Sequence, residues 1–263
     1  MAKKRRRSRK KKNKNRRNIF LVIALAIIAF LTYWYYEEIQ SFFFPNQHVK
    51  GNFSKLKLEG YSVYGIDVSQ YQGKIDWKAL KTEEKPDFVF IRACAGKNHK
   101  DTKFDYNWKQ AEKQNLLRGA YHYYRPNENS TEQANFFIKT VKLEKGDLPP
   151  ILDIEKYSRI QNLPKLKDGL LNWLQIVEEH YGVTPILYTY HNFYLNTFVH
   201  DKRFDKYPLW IAWYNTKKNP NKINKDWVFW QFTDRARVKG IKGDVDMNVF
   251  NGNLQDLDDL RLR

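Results

Sequence analysis

Pro149-Pro150-Ile151-Leu152-Asp153-Ile154-Glu155 opens on two prolines, continues through an apolar run and ends in two acids one residue apart. Strand side chains alternate between faces, so a strand here turns Asp153 and Glu155 to the same side, with Cα atoms about 7 Å apart. Two carboxylates so placed repel each other unless one keeps its proton or a ligand sits between them. Such a pair suits chemistry that needs an acid of raised pKa.

On either side of this segment, β-rich apolar runs recur. They are Tyr61–Val68, Asp87–Ala93 and Arg118–Tyr123 before it, and Pro185–Thr189, Pro208–Trp213, Trp227–Phe232 and Asp244–Val249 after it. Helical patterns fall between them near Asp76–Lys81, Phe104–Asn115, Thr131–Leu143 and Pro164–Tyr181. Strands alternating with helices predict parallel βαβ units, and eight strands predict a TIM-like α/β barrel. The last two gaps, Tyr214–Asp226 and Thr233–Gly243, hold Asn, Pro, Lys and Gly and are too polar for packing helices. The expected fold is therefore an incomplete (β/α) barrel whose final strands are joined by loops.

Chemistry in such a barrel gathers at the C-terminal ends of the strands. Four acids fall there: Asp67 on the first strand, Asp153 and Glu155 on the fourth, Asp246 in the eighth. Tyr121, Tyr123, Tyr188, Tyr190, Trp213 and Trp230 fall at or near the same ends. Some of these aromatics fill the barrel and the others are placed to stack on sugar rings. Paired carboxylates in an aromatic cleft point to glycoside hydrolysis, in which an acid protonates the leaving oxygen. Metal binding by the four acids is the competitor, but no His stands at ligand spacing beside them, so neither metal nor cofactor is expected.

The net charge of +18 is unevenly spread. Twelve Lys or Arg and no acid lie between Lys3 and Arg17, leaving 35 basic against 29 acidic residues elsewhere. That remainder is too mildly basic to support a nucleic-acid partner. An unbroken apolar run from Ile19 to Leu31, extended by Thr32 and the cluster Tyr33-Trp34-Tyr35-Tyr36, follows the basic block. As a helix it would rise about 27 Å, close to the thickness of a bilayer's hydrocarbon core. Basic flanks on one side and an aromatic belt on the other predict a spanning helix with the basic end in the cytoplasm. Ala24-Leu25-Ala26 has the form of a signal cleavage site but lies too early in the apolar run, so an uncleaved anchor is expected. The predicted organisation is a cytoplasmic tail at 1–18, a transmembrane helix at 19–36, a juxtamembrane stalk at 37–60 and a catalytic domain at 61–263 on the outer face. The single cysteine, Cys94, sits in an apolar run and reads as a buried, inert thiol.

Several stretches together resemble the glycoside hydrolase family 25 muramidases, lysozymes of the Chalaropsis type. They are Tyr64-Gly65-Ile66-Asp67-Val68-Ser69 with Gln72-Gly73 and Asp76-Trp77, Arg118-Gly119-Ala120-Tyr121-His122-Tyr123, Leu152-Asp153-Ile154-Glu155, Trp230-Gln231-Phe232, and Gly243-Asp244-Val245-Asp246-Met247-Asn248. The resemblance implies cleavage of the β-1,4 bond between N-acetylmuramic acid and N-acetylglucosamine in peptidoglycan. It implies Glu155 as general acid/base, Asp153 as the group that orients or charge-stabilises the substrate acetamide, and Asp67 and Asp246 as the rest of an acidic floor. Tyr121, Tyr123, Tyr188, Tyr190, Trp213 and Gln231 are the expected substrate contacts. Where the family commonly has Ala-Thr-Glu-Gly after the second strand, this chain has Ala93-Cys94-Ala95-Gly96. The loss of that rim acid is expected to alter substrate preference rather than catalysis. A catalytically silent, membrane-anchored peptidoglycan-binding domain is the alternative, but a mere binder has no need of a proton donor beside Asp153.

Overall fold

The computed structural model describes residues 49–80, 85–214, 219–220, 223 and 225–263. The expected tail at 1–18, the span at 19–36 and the first part of the stalk lie outside the described residues. No helix among the described residues is long and apolar enough to cross a membrane.

The strands are β1 (Gly51–Asn52), β2 (Tyr64–Val68), β3 (Phe88–Ala95), β4 (His99–Lys100), β5 (Leu117–Tyr123), β6 (Ile151–Asp153), β7 (Ile186–Tyr190), β8 (Leu209–Ala212), β9 (Trp227–Arg237) and β10 (Val245–Phe250). The α-helices are α1 (Phe104–Lys113), α2 (Ser130–Thr140), α3 (Leu163–Tyr181), α4 (His191–Thr197) and α5 (Leu254–Asp259). Eight of the strands close a ring in the order β2-β3-β5-β6-β7-β8-β9-β10, with β10 returning to β2. All eight expected strands are present. The ring is nevertheless complete in hydrogen bonding, because β10 seals the gap between β9 and β2.

It does so antiparallel to both neighbours, where a parallel eighth strand was expected. The seven residues from Val238 to Asp244 are too few for the crossover of a dozen or more that a parallel strand needs. The loops expected before the last two strands are present, since the described residues between β8 and β9 and between β9 and β10 form no helix. The helix expected at Asp76–Lys81 is only a 3-10 turn at Trp77–Ala79, capped by Asp76.

Val49–Gly60, read from sequence as the end of a stalk, packs on the barrel. β1 pairs with Ala236 and Arg237 at the far end of β9. Phe53 is buried against the ring of Tyr64, and Thr233 Oγ1 donates to the Val49 carbonyl at 2.6 Å. The long helix α3 follows sequence logic at both ends. Asn162 accepts from Lys165 N, Pro164 sits in the first turn where its missing N–H costs nothing, and Gly182 ends the helix at φ 68°.

Side-chain parity divides the core in two. Val89, Ile91, Leu152, Leu187 and Ile211 point outward into the layer shared with the helices. Phe88, Phe90, Ile151, Ile186, Trp210 and Phe229 point inward and plug the lower barrel. Gly65 and Gly119 make room for that plug, since a Cβ on Gly65 would lie 2.2 Å from the Phe88 ring and one on Gly119 would lie 2.8 Å from the Phe90 ring. The plug is a floor on which the polar upper layer rests.

Candidate active site

Two residues further along each strand, the inward stripe changes character. Asp67 follows Gly65, Arg92 follows Phe90, Tyr121 and Tyr123 follow Gly119, Asp153 and Glu155 follow Ile151, and Tyr188 and Tyr190 follow Ile186. Gln231 follows Phe229 on β9. On the reversed strand β10 the order inverts, so Asp246 reaches the same level from the strand's beginning. These side chains line one cleft of about 220 Å³ at the C-terminal ends of the parallel strands.

Asp67 lies at the centre of a buried network. Its Oδ2 accepts from Gln231 Nε2 at 2.9 Å and from Asn248 Nδ2 at 2.8 Å. Both amides are fixed from behind. Tyr188 and Tyr214 hydroxyls donate to Gln231 Oε1 at 2.9 and 2.8 Å, and Trp210 Nε1 donates to Asn248 Oδ1 at 2.8 Å. Each amide therefore has its oxygen committed and its N–H2 turned to the carboxylate. Burial raises the Asp67 pKa against the lowering effect of these donors. Asp246 is held well above the ordinary carboxylate range, first by burial and then by the charge of Asp67.

Asp153 and Glu155 form the other half. Asp153 is buried and its Oδ1 has no hydrogen-bond partner among the described residues. Its pKa is raised well above the usual value, first by burial and then by the charges of Glu155 and Asp67. Glu155 is less enclosed, and its pKa is raised chiefly by burial. Hydrogen bonds from Tyr190 and Tyr123 and the nearby Lys156 oppose that rise. The two carboxyls thus behave as a pair that binds one proton more tightly than an isolated carboxylate would. The deeper, less solvated Asp153 and the tyrosine-bonded Glu155 compete for it. A group that can lend a proton at neutral pH, beside a group that can bear negative charge, is what protonation of a glycosidic oxygen requires.

The four expected acids, the four expected tyrosines and Gln231 come together here. Trp213 does not. β8 ends at Ala212, and parity turns Trp210 and Ala212 inward but Trp213 away. Its ring stacks on His191 at 4.8 Å and its carbonyl accepts from Trp230 Nε1 at 2.7 Å. Trp230 is likewise an outward core residue.

Sequence reasoning missed Trp210, Arg92, Tyr214 and the loop residues Ser69, Tyr71 and Gln72, all of which line the cleft. Parity from Phe90 could have found Arg92, and alternation along β8 against the outward Leu209 and Ile211 could have found Trp210. The loop residues carry no periodic signal. Ser69 and Gln72 form a reciprocal cap that fixes a single 3-10 turn, which presents the exposed Tyr71 ring over the Arg92 guanidinium at 4.7 Å.

The model of the glycosyl hydrolases family 25 matches residues 66–241. The chain belongs to this family. YegX of Escherichia coli strain K12 is similar to it at 37% identity over 201 residues, covering 75% of this chain and 72% of that protein. Lysozyme M1 of Streptomyces globisporus is 33% identical over 202 residues, covering 73% of this chain and 68% of the relative. The structure of a family 25 glycosyl hydrolase from Bacillus anthracis superposes with a TM-score of 0.71 at 30% identity, over 78% of this chain and 96% of that one. The family match begins inside β2 and ends beyond β9, so it contains Asp67, Asp153, Glu155 and Gln231 but stops short of Asp246.

Proposed function

We propose that this chain is a peptidoglycan muramidase that hydrolyses the β-1,4 bond between N-acetylmuramic acid and N-acetylglucosamine, with Glu155 as the general acid/base. The observation that carries the reading is the pairing of buried Asp153 with half-buried Glu155, both with raised pKa, in a tyrosine-lined cleft. Relatives named lysozyme and N,O-diacetylmuramidase support it.

Glu155 delivers its proton to the leaving oxygen and then, as a carboxylate, takes a proton from the attacking group. Tyr123 and Tyr190 hold its carboxyl in place. Asp153, with an uncommitted oxygen, accepts the acetamide N–H and stabilises positive charge as it develops at the sugar ring. Asp67 and Asp246 with their amide scaffold hold the floor on which that pair stands. We further propose that residues 19–36 anchor the protein in the cell membrane, with residues 1–18 cytoplasmic and the catalytic domain on the outer face. The support for this is the asymmetric charge and the aromatic belt of the sequence.

The test is a digest of peptidoglycan with the full-length chain. New reducing ends on N-acetylmuramic acid are expected, and new ends on N-acetylglucosamine alone would show a glucosaminidase instead. For the topology, a reporter fused after Arg263 should be active only outside the cytoplasm. Activity confined to the cytoplasm would overturn the anchor's orientation.

A further inference from the structure

The cleft is acidic at its floor, but its lip at the Glu155 end is not. Glu155 is followed by Lys156, whose Nζ lies 5.8 Å from the centre of the Tyr123 ring. Tyr123 lines the cleft. Lys156 is exposed and makes no ion pair among the described residues.

Its surroundings explain why. Ala95, which pairs in register with Tyr123, brings no charge to this side. Glu128, the acid of the neighbouring β5–α2 loop, is already committed to Arg125 Nη1 at 3.2 Å and to the Lys97 amide at 2.7 Å. Arg159, three residues on, adds a second exposed cation without an ion pair among the described residues.

The segment that carries the two cations is built rather than loose. Asn127 Oδ1 accepts from Ser158 Oγ at 2.8 Å and from Arg159 N at 2.9 Å. Gln161 Nε2 donates to the Pro126 carbonyl at 3.0 Å. Tyr157 stacks on Phe193 at 4.5 Å with its hydroxyl against Thr197 Oγ1. Glu155 is the one acid whose charge acts on Lys156, without an ion pair between them. A lysine held beside a cleft tyrosine by so ordered a segment, with no further acid committed to it, is placed to meet an anion on whatever enters the cleft.

We propose that Lys156 is a specificity-determining residue that binds a substrate carboxylate at the lip of the cleft. The inference rests on the muramidase reading. Muramic acid differs from glucosamine by a lactyl group, which ends in a carboxylate when unsubstituted. When a stem peptide is attached, that carboxyl becomes an amide and the peptide supplies the carboxylates instead. Both sources present the same chemistry to an ammonium group. Arg159 stands as the outer cation that a longer anionic substituent would reach next.

The experiment uses the full-length chain and a peptide-free tetrasaccharide of alternating N-acetylglucosamine and N-acetylmuramic acid, compared with the same tetrasaccharide after its lactyl carboxyls are converted to carboxamides. Wild type should show a KM lower by about fivefold or more on the carboxylate form, the range expected of one charge-assisted contact at a partly exposed site. Lys156→Gln should remove that difference by raising KM on the carboxylate form and not on the carboxamide form, with any change in kcat from the lost charge near Glu155 common to both substrates. Lys156→Arg should restore most of the KM difference. A second arm uses glycan bearing stem peptides. If Lys156→Gln raises KM there and not on the peptide-free pair, the carboxylate is the peptide's and the proposal stands on that source. Persistence of the preference in Lys156→Gln on both arms would overturn it. So would a loss of kcat equal on the acid and the amide with the KM difference unchanged, which would place Lys156 in the service of Glu155 alone. Failure of the muramidase reading itself would look different, since wild type would then release no muramic acid reducing ends from any substrate.

Discussion

Asp246 stands directly opposite Asp67 in the antiparallel pairing of β10 with β2, and their carboxyls share a hydrogen bond. Only one can donate in it. Asp67 already accepts from Gln231 and Asn248, so it is the acceptor and Asp246 carries the proton. The raised pKa of Asp246, caused by burial and then by the charge of Asp67, agrees with that assignment.

The two aspartates should therefore respond differently to amide substitution. Asp246→Asn replaces a protonated acid by a neutral donor of the same shape, and turnover is expected to stay within about tenfold of wild type. Asp67→Asn leaves one acceptor oxygen where two served the donors Gln231, Asn248 and Asp246, and its own N–H2 adds a fourth donor, so a buried donor goes unmatched. A loss of about 1–3 kcal/mol in stability is expected, with a larger loss of activity. Thermal unfolding and turnover of both variants check this. Greater damage from Asp246→Asn would reverse the assignment of the proton.

Below neutrality the stability of the domain should be governed by His122. Its ring is fully buried, and burial lowers its pKa from 6.5 to about 4. A histidine with a depressed folded pKa contributes stability that is complete above about pH 6.5 and lost as the pH falls toward 4. The loss is on the order of 3 kcal/mol at most. The raised carboxyls work the other way, since Asp153 contributes stability in acid that fades as the pH rises above the ordinary carboxylate range. Asp153→Asn removes that opposing gain, so its unfolding midpoint should fall more steeply between pH 6.5 and 4 than that of wild type. Equal slopes would mean that the Asp153 proton is not linked to folding.

Cys94 should be chemically silent in the native protein. Its Sγ lies 3.1 Å from His122 Nδ1, and His122 Nε2 lies 3.2 Å from Gln133 Oε1. That oxygen is an acceptor, as its 2.9 Å bond from Arg125 N shows, so Nε2 carries the ring proton and the thiol donates to Nδ1. Burial pushes the thiol pKa far up, which leaves almost no thiolate to react. A disulfide reagent at pH 8 should label Cys94 only on unfolding. Labelling of the native state at the rate of a free thiol would contradict the burial.

The strands were legible in the sequence because β propensity and apolar runs coincide in all eight. The helices α1, α2 and α3 were legible because their apolar faces are long enough to show a period. The short helix α4 was not, since seven residues give fewer than two turns. The direction of β10 was written in the length of its connection rather than in its composition. For the site, the acids on alternating positions were readable, and so were the tyrosines two residues beyond the barrel plug. Trp213 was misplaced because nearness to a strand end was given more weight than parity, which puts it on the face opposite Trp210. The Tyr71 turn and the Tyr214 hydroxyl depend on how loops return to the cleft, and that follows from tertiary packing instead of any local pattern.

Asp153 and Glu155 can each be replaced by an isosteric amide, which separates their roles. Glu155→Gln keeps the shape and the bonds to Tyr123 and Tyr190 but has no proton to give. Turnover should fall by about 10²- to 10⁴-fold, the usual worth of a general acid, while binding of glycan survives. Asp153→Asn should slow turnover too, since it removes the charge that would face a developing cation. It should also move the pH profile in a stated direction. In wild type the shared proton is lost only against the repulsion of a second buried charge, which places the alkaline limb of kcat/KM high. With Asn at 153 that repulsion is gone, Glu155 ionises more easily, and the alkaline limb should shift to lower pH. An unshifted limb would show that the two carboxyls do not share a proton. Retention of more than about a tenth of wild-type turnover by Glu155→Gln would remove Glu155 from the role of proton donor.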